Sequence, residues 1–221
     1  MGKLTAYFVR HGTTVMNQLG LFCGSTDALL AREGWQELEN LKENYDYPEV
    51  ERVYSSPAIR CIETASALYP GMTPVTKEGL WEVDFGEDEG APASDFLGTP
   101  FFDTWLAQEP DCAFRGGESI LEARFRVMAA MTRIVKECRD SQIKTIAIVA
   151  HGAILARLME GCLVPKDKAD AFVLCPNGMG LKATLDTKKW FTCQEMQFEA
   201  FFPEGAPRLK AEDSPYFGRK Q

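Results

Sequence analysis

Histidine is scarce in this chain, with two residues in 221, and no apolar run approaches the ~20 residues needed to cross a bilayer. Basic excess is missing as well: 24 Lys and Arg stand against 32 Asp and Glu, a formal charge of −8. That balance excludes a general binder of nucleic acid or anionic membrane, because such proteins carry a basic face. The seven cysteines are odd in number and scattered, without a C-x-x-C pair. They predict reduced thiols in a cytoplasmic protein and give no support for a disulfide framework or a metal site. The start, "MGKLTAYFVRHG", has no long apolar segment or small-residue cleavage site and does not read as a signal peptide. Ala6 stands where an N-myristoylation motif needs Ser or Thr. Low-complexity tracts are absent, and 45% hydrophobic with 25% charged residues is ordinary for a globular chain able to bury a sizeable core.

The apolar runs that are present alternate with amphipathic stretches. "LTAYFV" (Leu4 to Val9), "ERVYSSP" and "KTIAIVA" read as strands, the first and last of them buried. Helices are expected over Ala31 to Tyr45, over Ala58 to Tyr69 with Ser55 or Ser56 as its cap, over Glu118 to Cys138, and over "GAILARLMEG". In the long third helix, Leu121, Phe125, Met128, Met131 and Val135 recur at three- and four-residue spacing and predict the core face. "GLKATLDTKKWFTCQEMQF" predicts a hairpin turning around Thr187, Lys188 and Lys189, with an edge suited to self-association into a homo-oligomer. The tail beyond Phe202 mixes Pro, Gly and charge and reads as partly mobile. Residues 86–117 are weakly periodic and read as an excursion with short helices, including "FFDTWLAQ". No repeat or linker divides the chain, so the expectation is one domain over residues 1–221, of α/β class with a mostly parallel sheet.

Both histidines occupy one kind of place. "YFVRHG" and "IVAHG" are β-prone runs that halt on His11-Gly12 and on His151-Gly152. Ligands of open α/β sheets bind at the carboxyl ends of strands, where helix N-termini offer free N–H groups, so a fold that joins these two ends makes one anion site. Arg10 and Arg60 add planar charged forks suited to phosphate oxygens, and glycine beside each histidine permits close approach. Two guanidinium groups favour neutral imidazoles, and a neutral imidazole can attack phosphorus. Glu82, with Asp84 next, is placed to protonate a leaving alkoxide.

Taken together, "FVRHGTTVMN", "CGSTDALLAREG", "YSSPAIRCIETA", "LWEVDFGEDEG", "GGES" and "VAHGAIL" resemble the histidine phosphatase superfamily, in its order and at its spacing, from about residue 4 to 160. The resemblance implies a three-layer α/β/α fold of the phosphoglycerate mutase-like kind and a catalytic set of His11, Glu82, His151, Arg10 and Arg60. In it His11 is the phosphorylated nucleophile, His151 a second contact to the transferring group, and Glu82 the proton donor and later the base for water. Phosphate or substrate contacts then come from Arg10, Asn17, Cys23, Gly24, Arg60, His151 and Gly152, and no metal or cofactor is required. The chain departs from the family at Thr13-Thr14, Leu29, Ala31 and Asp88, which bear on local shape rather than on catalytic groups. Its acid segment, Glu82-Val83-Asp84-Phe85-Gly86, has the phosphatase style and lacks the "E-R-H-Y-G" type of the mutases. The expectation is therefore hydrolysis of a small phosphorylated metabolite, with excursion 86–117 lying over the site. A mutase and a catalytically silent binding module of the same fold are the competing readings.

Overall fold

The computed structural model describes residues 2–162 and 175–207. Its centre is a six-stranded sheet of β1 (Lys3–Arg10), β2 (Arg52–Ser55), β3 (Val75–Thr76), β4 (Thr145–Ala150), β5 (Gly180–Asp186) and β6 (Gln197–Phe202). The spatial order is β3-β2-β4-β1-β5-β6. The β3-β2, β2-β4 and β4-β1 pairings are parallel, and β5 and β6 extend the sheet antiparallel.

Alternation along the central strands feeds two cores. Leu4, Ala6, Phe8, Ile146, Ile148 and Ala150 point into one, which also takes the apolar faces of α5 (Ile120–Asp140) and α6 (Gly152–Gly161). Val9, Ala147 and Val149 point into the other, with Leu38 of α2 (Arg32–Asn44) and Cys61, Ala65 and Leu68 of α3 (Ile59–Leu68). Both faces of the parallel strands are covered, which is why these strands read as continuous apolar runs instead of alternating ones. The arrangement is the expected three-layer α/β/α fold.

Three local expectations need correction. In α5 the buried face is Ile120, Ala123, Val127, Met128, Ala130, Met131, Ile134, Val135 and Cys138, whereas Phe125 is 68% exposed. Met128, Met131 and Val135 of the expected stripe lie on that face, Leu121 is half-buried at its edge, and small alanines complete the packed side where Phe125 was expected. The start of α3 is capped across the chain: Ile59 N–H donates to Asp27 Oδ1 at 2.7 Å, while Ser56 Oγ accepts from Ala58 at 3.3 Å and Ser55 turns to the Ser56 carbonyl. The β5-β6 hairpin has a longer connection than a tight turn at 187–189, because Trp190 and Met196 fold back into the core before β6 begins. Trp190 is fixed there by donating Nε1–H to Thr132 Oγ1 at 3.1 Å. Residues 208–221 of the tail lie outside the described residues.

The excursion is held by aromatic packing rather than by regular structure. Its helix α4 (Pro100–Leu106) starts on Thr99, whose hydroxyl accepts from Phe102 N–H, and it buries Phe102 and Trp105. Phe22, Phe85, Phe96, Phe102, Trp105 and Phe114 interlock at centroid separations of 4.7 to 6.5 Å. Each such pair adds about 0.5–1.5 kcal/mol beyond its area burial. Rings spaced irregularly in sequence leave no helical or strand period, which explains the weak patterning of this stretch.

Candidate active site

Parallel pairing of β1 with β4 places Arg10 opposite Ala150, so the next residues, His11 and His151, leave adjacent strand ends together. Their rings meet edge to face with centroids 5.2 Å apart. A cavity of about 100 Å³ opens beside them, lined by Arg10, His11, Asn17, Cys23, Glu82 and Gly152 on one side. Phe22, Phe85, Trp105, Leu106, Gln108, Ala153 and Arg157 complete the wall. Residues of the excursion thus border the cavity directly.

His11 is oriented by its own turn. Nδ1 lies 2.7 Å from the Gly12 carbonyl, which fixes the proton on Nδ1 and leaves Nε2 as the basic nitrogen. Gly12 is held in turn by Thr64, whose hydroxyl accepts the Gly12 N–H at 2.8 Å and donates to the Arg60 carbonyl at 2.6 Å. Burial, then Arg60, then Arg10 hold the His11 imidazole well below its ordinary range, against an opposing pull from the Gly12 carbonyl. The neutral, nucleophilic form therefore prevails at neutral pH.

Arg10 donates Nη1–H to the Cys175 carbonyl at 2.9 Å, while its buried Nε has no hydrogen-bond partner among the described residues. A buried guanidinium N–H without a partner is a charged donor available to an acceptor in the cavity. Gly152 stands against it: a methyl group there would lie 3.6 Å from Arg10 Nε. Asn17, in the short helix α1 (Val15–Gln18), is fixed by a capping box, in which its Oδ1 accepts from the Thr14 amide and hydroxyl at 3.1 and 3.0 Å, so its remaining polar group is the NH2 donor.

Glu82 sits on the N-terminus of α6. Its carboxylate accepts from Ile154 N–H at 2.7 Å, Ala153 N–H at 3.1 Å and its neighbour Val83 at 2.9 Å. Burial nevertheless pushes its carboxyl up from the ordinary value, outweighing those amides and Arg60. A carboxyl that keeps its proton longer than usual is suited to general acid work. Asp84 is occupied in a turn, accepting from Gly86 N–H at 2.9 Å, and does not line the cavity.

Arg60, His151 and Gly24 lie behind the cavity rather than on it. Arg60 is fully buried and donates to the carbonyls of Thr26 at 2.7 Å, Gly24 at 2.9 Å and Cys23 at 3.3 Å, and through Nε to His151 Nδ1 at 3.2 Å. With Nδ1 accepting, His151 carries its proton on Nε2, 2.8 Å from Ser56 Oγ, and burial followed by Arg60 holds its imidazole well below the usual range. The thiol of Cys61 lies 3.5 Å from the same Nε2. Cys23 lines the cavity with its thiol directed to the Thr26 carbonyl at 3.5 Å, and burial pushes that thiol up.

Several supporting residues carry no sequence assignment above. Glu89 gathers the amides of Gly24, Ser25, Thr26 and Phe85 at 2.9 to 3.3 Å and shapes the loop that Arg60 grips from below. Gly24 is required there, since a Cβ would lie 2.1 Å from the Val83 carbonyl. Arg126 binds the carbonyls of Gly79, Trp81 and Glu82 and pairs with Glu118, which also accepts from Asp84 N–H, so the acid segment is tied to α5. The usable signal was density: three acids in Glu87 to Glu89 between two glycines, and "GGES" directly ahead of a helix. Among the described residues no group of His, Cys, Asp or Glu gathers in a way that could hold a metal ion, and no helix is long and apolar enough to cross a membrane. All seven cysteines are free.

Comparison with known proteins places this geometry in context. Residues 6–192 match the histidine phosphatase superfamily (branch 1). A protein from Hydrogenobacter thermophilus with the provisional name phosphoserine phosphatase 2 is 30% identical over 162 residues, 72% of this chain and 77% of its own length. The crystal structure of a phosphoglycerate mutase from Bacillus anthracis superposes with a TM-score of 0.72 at 20% identity, covering 90% of this chain and 92% of that one. A phosphoserine phosphatase from Entamoeba histolytica, solved with 3-phosphoglyceric acid, gives a TM-score of 0.68 at 25% identity, covering 90% and 96%.

Proposed function

The chain belongs to the histidine phosphatase superfamily, branch 1, and on that footing we propose that it is a metal-independent phosphatase of small phosphomonoesters acting through a phosphohistidine on His11. The observation that carries this reading is the pairing of a His11 imidazole held neutral, with Nε2 as its basic nitrogen, and an unpartnered Arg10 Nε–H on the same cavity. The phosphate oxygens take the Arg10 fork, with Asn17 NH2 as a further donor. Nε2 of His11 attacks phosphorus, the P–O bond to the alcohol breaks, and Glu82 delivers its proton to the departing oxygen. The negative charge on the equatorial oxygens rests on Arg10 and on the field of buried Arg60. Deprotonated Glu82 then takes a proton from water, which attacks the phosphohistidine and releases inorganic phosphate.

The substrate names carried by its relatives, phosphoserine phosphatase among them, support a phosphatase of small metabolites. The test is release of inorganic phosphate from p-nitrophenyl phosphate and from a panel of phosphorylated metabolites in the presence of EDTA. Release by the native chain is expected. Loss of all release in EDTA, or transfer of the phosphoryl group between glycerate hydroxyls in place of hydrolysis, contradicts it.

A further inference from the structure

The hydrogen-bond ladder between β1 and β4 ends where His11 N–H donates to the Ala150 carbonyl at 2.9 Å. The next peptide, between His11 and Gly12, lies outside the sheet, and its two polar groups need partners from elsewhere. Both partners are side chains far away in sequence. Asn177 donates Nδ2–H to the His11 carbonyl at 2.8 Å, and the Thr64 hydroxyl accepts the Gly12 N–H at 2.8 Å. Gly178 N–H reaches the same His11 carbonyl only at 3.4 Å, because its nearer acceptor is the Arg10 carbonyl at 2.9 Å. One peptide plane is thus clamped from opposite sides, by α3 and by the turn that precedes β5.

What hangs on this plane is the nucleophile's tautomer. The Gly12 carbonyl, one residue on, holds the proton on His11 Nδ1. Glycine has the widest torsional freedom of any residue, so that carbonyl keeps its direction only if the backbone entering Gly12 is fixed. A stiffer residue is no alternative, since a Cβ there would lie 2.9 Å from Leu38 Cδ1. The turn that carries Asn177 also holds Arg10, whose Nη1–H goes to the Cys175 carbonyl and whose backbone N–H goes to the Met179 carbonyl, both at 2.9 Å. Tyr47 braces the turn separately, donating its hydroxyl to the Gly178 carbonyl at 2.8 Å. Asn177 itself is half-buried on an outer groove with Thr13 and Glu37 and does not line the cavity that His11 borders.

We propose that Asn177 is a positioning residue for the nucleophile: with Thr64 opposite, it holds the His11–Gly12 peptide so that Nε2 of His11 stays unprotonated and faces the cavity. The proposal rests on His11 being the nucleophile of the phosphatase reading. Without the Asn177 amide the Gly12 carbonyl can turn away, and the imidazole proton then divides between the two ring nitrogens. Rings protonated on Nε2 present an N–H to phosphorus instead of a lone pair, so the reactive fraction falls while the phosphate contacts of Arg10 and Asn17 remain.

With only two histidines in the chain, NMR of protein carrying isotope-labelled histidine reads each ring directly. The two rings hold their protons on opposite nitrogens, His11 on Nδ1 and His151 on Nε2, so their signals are distinct. Asn177→Ala is expected to move the His11 ring-nitrogen signals towards a mixture of tautomers and to leave those of His151 in place. It should lower kcat on p-nitrophenyl phosphate by about 10–100-fold, with KM within about threefold of native. Thr64→Val should act in the same direction and Thr64→Ser, which keeps the hydroxyl, should recover the native signals; Asn177→Ala decides the matter if Thr64→Val does not fold. Tyr47→Phe removes a bond of the same length from the same turn without touching the His11 carbonyl, and it should leave the His11 signals unchanged. Unmoved His11 signals in Asn177→Ala, a kcat within about twofold of native, or the same displacement in Tyr47→Phe overturns the proposal. Failure of the native chain to hydrolyse p-nitrophenyl phosphate strikes the phosphatase reading instead, while the ring-nitrogen signals, which need no turnover, still report on the clamp.

Discussion

The two His-Gly turns are nearly the same in sequence and opposite in structure. Each ends a buried parallel strand, and the strands are neighbours in register. Yet His11 borders the cavity with Nδ1 pinned to a backbone carbonyl, while His151 is sealed behind it with both ring nitrogens engaged, by Arg60 and by Ser56. The difference lies in what each strand end meets. After β1 the chain passes through Thr13 and Thr14 into the short helix carrying Asn17, leaving open space above the ring. After β4 it enters α6 at once, and α3 closes over the ring from the other side. One ring is thereby open to the cavity and the other is held fast behind it.

Breaking this asymmetry should have graded consequences. His11→Ala is expected to lower kcat on p-nitrophenyl phosphate by about 10⁴-fold or more with an unchanged near-UV circular dichroism spectrum, and activity within tenfold of the native chain would assign the attack elsewhere. Glu82→Gln should slow esters with poor leaving groups by roughly 10²–10⁴-fold and spare p-nitrophenyl phosphate, whose leaving group needs little protonation. Equal slowing of both would remove Glu82 from the acid role. His151→Asn is expected to cost about 10²–10³-fold in kcat, less than loss of His11, and an equal or larger loss would mean that the buried ring is the one that reacts.

The same contrast can be sharpened by pH. Both imidazoles have folded-state values held well below the ordinary one. The unfolded chain therefore binds more protons, and the folded state loses stability as pH falls below about 6.5. Urea midpoints should drop between pH 7 and pH 5 by an amount worth about 1 kcal/mol or more, and His151→Asn should remove part of that drop. A midpoint that is flat with pH would mean that neither imidazole is held neutral by the fold. In activity, the acid limb of kcat/KM should lie well below pH 6.5. The alkaline limb should reflect a Glu82 carboxyl raised by burial and disappear in Glu82→Gln.

Much of this was legible in the chain itself, for physical reasons. Strand ends at Arg10-His11 and Ala150-His151 announce themselves because apolar β-prone runs stop abruptly on charge and glycine. A neutral state of both histidines is expected from two arginines beside two imidazoles; in the structure burial is the first cause that holds both rings below their ordinary range, and Arg60 the next. What sequence could not resolve was depth. Arg60 reads as a second phosphate fork, but in the structure its donors go to three carbonyls and to His151, and that allocation depends on where the 23–26 loop folds. Arg157 falls within a helix that the sequence announces, but nothing in that stretch marks it as a residue that lines the cavity beside Trp105 of a distant segment. Phe125 misled because periodicity marks large residues and close helix packing favours small ones.

The most direct measurement traps the intermediate. The native chain is mixed with a phosphomonoester, quenched rapidly into alkali, where phosphohistidine survives, and digested for peptide mass spectrometry. The account predicts a phosphoryl group on His11 that forms within one turnover and is absent from His11→Ala. Phosphoryl on His151, or steady turnover with no phosphorylated histidine at any time, would contradict it.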